Sequence, residues 1–279
     1  MTASYETKAQ PVCLTIAGVD PSGGAGVIAD IKTFFAFGCF PTAAIASLTF
    51  QNTQGVFGSA DQTGAIVRQQ IEPIIDDLSV DSIKTGMLPN RDVIETVADI
   101  LQSSGLRNLV VDPVVRSTSG YDLIDDLALL GLTEQLFPLS EIVTPNIPEA
   151  ERISGISIES EADIIDAAAI MRDMGARNVL IKGGHFFAHD SESGKRTAKD
   201  FLFIGEELTT LSAEYYETRA THGTGCTLAA AIAASLALGK GLFEAVSIAK
   251  EFVNEAIRTA PGIGKGHSPI NVRPIWRWE

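Results

Sequence analysis

Short apolar runs alternate with amphipathic stretches along most of this chain, and no other feature constrains the fold as much. Pro11 to Ala17, Thr42 to Phe50, Ser82 to Lys84, Leu109 to Val111, Glu141 to Val143 and Asn178 to Lys182 read as strands. Between them, helices are predicted at Ala25 to Phe37 (closed by Gly38), Gln62 to Leu78, Asp92 to Gln102 (with Gly105 just beyond), Leu123 to Phe137 and Ala162 to Met174. Val93, Val97, Ile100 and Leu101 share one helical face, as a helix lying on a sheet requires. After Asp200 the rhythm changes. Phe201 to Ile204 and Glu207 to Tyr216, separated by Gly205-Glu206, predict an antiparallel hairpin, and two helices, Thr227 to Leu238 and Phe243 to Ile257, close the pattern. The expected fold is α/β: a mostly parallel central sheet covered on both faces, with an antiparallel hairpin toward the C-terminal part. Such sheets bind ligands at the carboxyl ends of their strands.

Composition narrows the class. With 279 residues, 45% of them apolar, the chain can bury one large core, and no low-complexity tract, charge run or Pro/Ser-rich linker divides it. The expectation is a flexible segment over residues 1–10 and a single domain over 11–279. The longest apolar stretch, Cys226 to Leu238, is too short and too alanine-rich to span a bilayer. The polar N-terminus lacks an apolar signal core, and the cysteines at 13, 39 and 226 have no metal-binding spacing, which suits a reducing cytoplasm. A net charge of −14 disfavours nucleic acid and anionic membranes as partners. A polyphosphate ligand would need local donors and a divalent cation.

Such donors stand at the strand ends. In Thr221-His222-Gly223-Thr224-Gly225-Cys226, glycines at a helix start let backbone amides converge, and the helix dipole favours an anion such as a phosphoryl group. Cys226 at that terminus is expected to have a depressed thiol pKa, suited to a base or nucleophile; a small buried core residue is the alternative. The loop Gly18 to Gly26 is neither a GxGxxG fingerprint nor a Walker A loop, which argues against a Rossmann dehydrogenase. Asp30, four residues past Gly26, points toward the same pocket or lies on a solvated helix face. Gln51, in Thr49-Phe50-Gln51-Asn52-Thr53, offers donor and acceptor together, as an aminopyrimidine edge requires, or belongs to an ordinary turn. Met87, after Lys84-Thr85-Gly86, could lie on a ring or simply fill core. Asp112 ends a buried strand where it could orient a magnesium-bound water, and the following Arg116 to Gly120 could close as a lid. Asn146 and Glu149 share a face at a helix start, a spacing that capping explains by itself. Lys182, beside Gly183 and Gly184 and ahead of His185, is placed for a phosphate oxygen.

Taken in order, LTIAGVDPSGGAG (14 to 26), ADIKTF (29 to 34), QNTQGV (51 to 56), KTGML (84 to 88), VVDPVV (110 to 115), TPNIPEA (144 to 150), IKGGH (181 to 185) and THGTGC (221 to 226) resemble the hydroxymethylpyrimidine/phosphomethylpyrimidine kinases of the ribokinase-like superfamily. The resemblance runs from Leu14 to the Trp276/Trp278 tail. It implies a three-layer α/β/α sandwich and an ATP- and Mg²⁺-dependent transfer to the hydroxymethyl group of 4-amino-5-hydroxymethyl-2-methylpyrimidine, then to the monophosphate, in thiamin biosynthesis. Carried over residue by residue, it implies a pyrimidine pocket at Gly18, Asp30, Thr49, Gln51, Met87 and Val114. Thr49 stands where the family usually has Val, so a slightly more polar wall is expected. ATP and phosphate handling falls to Lys182, Asn146 and Thr221, metal binding to Asp112 and Glu149, and catalysis to Cys226 with the amides of Gly223, Thr224 and Gly225. Cys226 occupies the position where the wider superfamily usually has an Asp base. The resemblance also implies a homodimer and leaves K⁺ as a further ion. Pyridoxal kinase, needing the same machinery, is the nearest alternative, and a catalytically silent binding protein on this fold is another.

Overall fold

The computed structural model describes residues 10–115, 123–184, 189–190 and 196–273. In chain order its elements are β1 (Val12–Val19), α1 (Gly26–Ala36), β2 (Phe40–Asn52), β3 (Gly55–Asp61), α2 (Gly64–Asp77), β4 (Val80–Thr85), α3 (Arg91–Ser104), β5 (Leu109–Val111) and α4 (Asp126–Gly131). There follow β6 (Ile142–Val143), α5 (Ile147–Ser154), α6 (Glu161–Asp173), β7 (Asn178–Lys182), β8 (His189–Asp190), β9 (Arg196–Ile204), β10 (Glu207–Glu214), α7 (Thr224–Ala237) and α8 (Leu242–Arg258). One sheet runs β10-β9-β7-β6-β5-β4-β1-β2-β3, with β8 paired to β9. From β7 through β1 to β2 every pairing is parallel.

Alternation along each central strand builds two cores. Leu14 and Ile16 of β1, Val111 of β5 and Val179 and Ile181 of β7 pack with α2 to α6 on one face. Cys13, Val110 and Leu180 point to the other face, against α1, α7 and α8. Helix α7 is buried at every position from Thr227 to Leu236, and its alanines let it lie close to the sheet between α1 and α8. Phe37 meets Phe252 edge-on at 4.9 Å between ring centres, tying the end of α1 to α8. The result is the expected three-layer sandwich.

Three local differences have physical causes. The polar run Gln51 to Gly55 is the turn of an unforeseen antiparallel hairpin, β2 with β3, so the sheet carries antiparallel strands at both edges. The expected helix Leu123 to Phe137 shortens to α4, followed by a π-helical turn at Leu132–Leu136 and a 3₁₀ turn at Phe137–Leu139, where Pro138 has no N–H to continue the ladder. Helix α7 begins at Thr224 rather than Thr227, which puts Cys226 in its first turn. Residues 1–9, Arg116 to Gly120, His185 and the Trp276/Trp278 tail lie outside the described residues. No described helix is long and apolar enough to cross a membrane.

Candidate active site

The strand-end segments meet at the carboxyl edge of the sheet in one cleft of about 1200 Å³. One wall of it is made by the start of α7. Gly223 caps that helix in the left-handed region at φ 82°, and a Cβ there would run into the carbonyl oxygen of Gly24, so the turn requires glycine. The first ladder bond is Thr227 N–H to the Gly223 carbonyl at 2.9 Å, so the amides of Gly225 and Cys226 have no partner within the helix. The Thr224 hydroxyl donates to the Thr221 carbonyl at 3.1 Å, which holds the approach to the turn. A Cβ on Gly225 would stand 3.2 Å from Lys182 Nζ, so this glycine admits the ammonium group to the helix terminus. A lysine and a helix N-terminus converging on one space could hold phosphate oxygens.

Lys182, at the end of β7, also faces two acids. Its Nζ lies 3.1 Å from Asp112 Oδ1, beyond β5, and 4.0 Å from Glu149 Oε2, in the first turn of α5. Asn146 and Glu149 form a reciprocal cap: Glu149 N–H donates to Asn146 Oδ1 at 2.9 Å and Asn146 N–H to Glu149 Oε2 at 2.8 Å. Capping therefore does account for their spacing, yet both line the cleft. Burial pushes the Glu149 carboxyl up to about 7, with Asp112 adding to the rise and Lys182 opposing it. Among the described residues, no three His, Cys, Asp or Glu side chains come together as a metal cage. Two carboxylates beside a phosphate site fit Mg²⁺, which takes one or two protein carboxylates and completes its shell with water and substrate oxygens.

The other end of the cleft is lined by Gly18, Thr49, Gln51, Met87 and Val114. A Cβ on Gly18 would stand 3.0 Å from Met87 Sδ, so the glycine makes room for that side chain. The Thr49 hydroxyl is turned back onto the protein, within donor reach of the Val19 carbonyl (2.8 Å) and Gln51 Oε1 (3.1 Å). The expected extra polarity of the wall is thus consumed in orienting Gln51, whose Nε2 stays on the cleft side, 3.4 Å from His222 Nε2.

Two expectations are corrected. Asp30 does not reach the cleft. It is fully buried beneath it, where Oδ2 accepts from Lys84 Nζ at 2.9 Å and Thr15 Oγ1 at 2.6 Å. α1 presents that face to the sheet, so neither pocket contact nor solvation describes it. Burial raises the Asp30 carboxyl, opposed by Lys84; burial also works against the Lys84 charge, but Asp30 and the other nearby acids outweigh it and keep it protonated. The second correction concerns Cys226. Its thiol is pushed up to about 11 rather than down: burial dominates, Asp30 and Asp112 add to it, and the Lys84 charge and the Gly26 N–H oppose it without prevailing. Lys84, Asp20 and His222 are site residues that the motifs contain but do not explain. A charged residue in the apolar strand Ser82 to Lys84 is itself a signal that a buried acid must pair with it.

A family model described as phosphomethylpyrimidine kinase matches residues 20–271. The chain belongs to the phosphomethylpyrimidine kinase family. Within this family, a Bacillus subtilis (strain 168) relative named hydroxymethylpyrimidine/phosphomethylpyrimidine kinase is 44% identical over 258 residues, covering 92% of this chain and 93% of its own. The solved structure of phosphomethylpyrimidine kinase from Clostridium difficile 630 is similar at 39% identity and a TM-score of 0.76, covering 89% of this chain and 100% of its own. The pyridoxal kinase from Staphylococcus aureus, solved in complex with ADP, is similar at 31% identity and a TM-score of 0.87, with 98% and 97% covered. The ribokinase-like sandwich is thus common to kinases of both vitamins, and the site must decide between them.

Proposed function

We propose that this member of the phosphomethylpyrimidine kinase family transfers the γ-phosphoryl group of ATP to the hydroxymethyl oxygen of 4-amino-5-hydroxymethyl-2-methylpyrimidine, and then a second to the monophosphate, in thiamin biosynthesis. The observation that carries the reading is the convergence of Lys182 Nζ on the glycine-built start of α7, with the amide of Gln51 and the thioether of Met87 in the same cleft. Phosphoryl transfer asks a protein mainly to align groups and neutralise oxygens. The amides of Gly225 and Cys226, with the Lys182 ammonium, do the second. Gln51 and Met87 do the first, the free carboxamide N–H on an acceptor nitrogen of the ring and the sulfur against its face. Asp112 and Glu149 would hold Mg²⁺, which neutralises phosphate oxygens when bound; Asn146 positions Glu149, and Thr221 anchors the turn.

A thiol raised to about 11 is neutral near pH 7, so we assign Cys226 to orienting the acceptor hydroxyl, whose proton leaves with the phosphoryl oxygens. Cys226→Ser, which keeps a small donor and acceptor, is expected to retain turnover within about tenfold, whereas loss beyond about 100-fold would restore the thiol as base. Mg²⁺ with K⁺ as a further ion, a homodimer, residues 11–279 acting as one domain, and a cytoplasmic setting without nucleic-acid or membrane partners complete the proposal.

The likeness to an ADP-bound pyridoxal kinase favours pyridoxal as a second acceptor. An ADP-release assay with Mg-ATP against the hydroxymethylpyrimidine, its monophosphate and pyridoxal at matched concentrations tests both readings. ADP release with both pyrimidines is expected. Release with pyridoxal alone would move the assignment to vitamin B6, and release with none would leave a binding protein.

A further inference from the structure

The first and last parts of the described chain meet in one buried contact that the phosphoryl and metal groups leave unexplained. His222 Nε2 lies 2.6 Å from Asp20 Oδ2, with side-chain exposures of 8% and 3%. The same carboxylate accepts from Ser22 N (2.8 Å) and Ser22 Oγ (2.7 Å) on Oδ1, and from Gly24 N (3.1 Å) and Ala25 N (2.9 Å) on Oδ2. An acid serving only donors can take from the imidazole only a proton-bearing nitrogen, so Nε2 carries its hydrogen and donates to Asp20. It follows that Nε2 cannot also accept from Gln51 Nε2 at 3.4 Å, and the Gln51 side-chain amide hydrogens stay free for a ligand.

His222 directly precedes Gly223, the cap of α7. Gly24 is pressed against the imidazole on one side, and its carbonyl faces Gly223 on the other, leaving no room for a Cβ at either glycine. A shift of the imidazole therefore moves both the cap that holds the phosphoryl amides and the surface against which Gln51 rests. The His222 backbone is anchored separately, through its N–H to the Ser268 carbonyl at 3.3 Å, so a side-chain substitution leaves the chain path held.

We propose that Asp20 and His222 are a positioning pair that keeps the acceptor pocket and the phosphoryl-binding turn in register for transfer. The inference rests on the kinase reading above. Glutamine at 222 can place an amide N–H where Nε2 stands; asparagine is too short to reach Asp20. His222→Gln is expected to recover most of the parent kcat. His222→Asn and Asp20→Asn are expected to lose about 100-fold in kcat and to raise the KM of both the acceptor and ATP, since small misplacements cost on that scale. Equal kinetics in the Gln and Asn variants would overturn the pair. Amide hydrogen exchange across Gly223 to Thr227 in the ligand-free protein reads the pair independently. It should quicken in His222→Asn and stay parent-like in His222→Gln, and no difference would overturn it. A parent that turns over no acceptor while the exchange result holds would refute the kinase reading and leave the pair standing.

Discussion

Two lysine–carboxylate pairs end neighbouring parts of the parallel sheet, and they differ in one respect that separates structure from chemistry. Lys84 and Asp30 are sealed from solvent, with both side chains at 0% exposure and 2.9 Å apart, and Lys84 forms part of the cleft floor while Asp30 lies beneath it. Lys182 and Asp112 are open to the cleft, at 13% and 3%, and Lys182 divides its attention between Asp112 at 3.1 Å and Glu149 at 4.0 Å. Exchanging a partner in a pair this buried would strand a charge in the core, at a cost of several kcal/mol. The Lys84 charge acts on Cys226 through space in favour of the thiolate, and the Asp30 charge acts against it. The open pair can give up a carboxylate contact for a phosphate oxygen, and an acid so released is free for a cation. The same two residue types thus serve as floor in one place and as working surface in the other, and burial alone decides which.

The largest expected effect is on the floor. Lys84→Met strands Asp30 in the core and should cost about 3–5 kcal/mol by urea denaturation, and adding Asp30→Leu should return most of it. If Lys84→Met unfolded at the parent's urea midpoint, the pair would not be the sealed element described. Next comes the working surface. Lys182→Ala is expected to lower kcat/KM for ATP by about 10²–10³-fold, with little change in the urea midpoint, in keeping with the loss of one charge-stabilising group. Parent-like ATP kinetics would remove Lys182 from phosphate handling.

A smaller effect sharpens the contrast through pH. The Glu149 carboxyl sits at about 7 instead of its ordinary 4.5, so between those values the folded chain holds a proton that the unfolded chain has released. Stability should therefore fall as pH rises from about 4.5 to about 7, and Glu149→Gln should flatten that part of a Tm-versus-pH curve. Mg²⁺ affinity should rise through the same window, because binding needs the carboxylate. The smallest effect is chemical. With its thiol at about 11, the half-buried Cys226 should react slowly with iodoacetamide at pH 7; rapid alkylation would mean that the helix terminus outweighs desolvation after all.

The architecture was largely legible in the sequence because strand and helix periods are local. Leu109 to Val111 and Asn178 to Lys182 show as strands in three and five letters, and Gly105 marks the end of α3 by its left-handed conformation. Strand-end motifs converge because a parallel sheet places all its carboxyl ends together, so Gly18, Gln51, Met87, Asp112 and Lys182 meet without any knowledge of pairing. What stayed hidden depends on partners far apart in the chain. Lys84 is 54 residues from Asp30 and His222 is 202 from Asp20, and nothing local in either member names the other. The sign of the Cys226 shift was illegible for a related reason: the helix dipole is written in the sequence next to the thiol, whereas the desolvation that defeats it comes from the three-dimensional packing around it. The β2–β3 turn reads as an ordinary polar loop because Asn52 and Gly55 suit a hairpin and a strand-end loop equally.

The most direct measurement is a crystal structure with a non-hydrolysable ATP analogue, Mg²⁺ and the hydroxymethylpyrimidine. The expected result has phosphate oxygens within hydrogen-bond distance of Lys182 Nζ and of the Gly225 and Cys226 amides, the pyrimidine between Gln51 and Met87, and Lys84 still on Asp30. Phosphates bound away from the start of α7, or Lys84 released from Asp30 to meet them, would contradict the division between sealed floor and working surface.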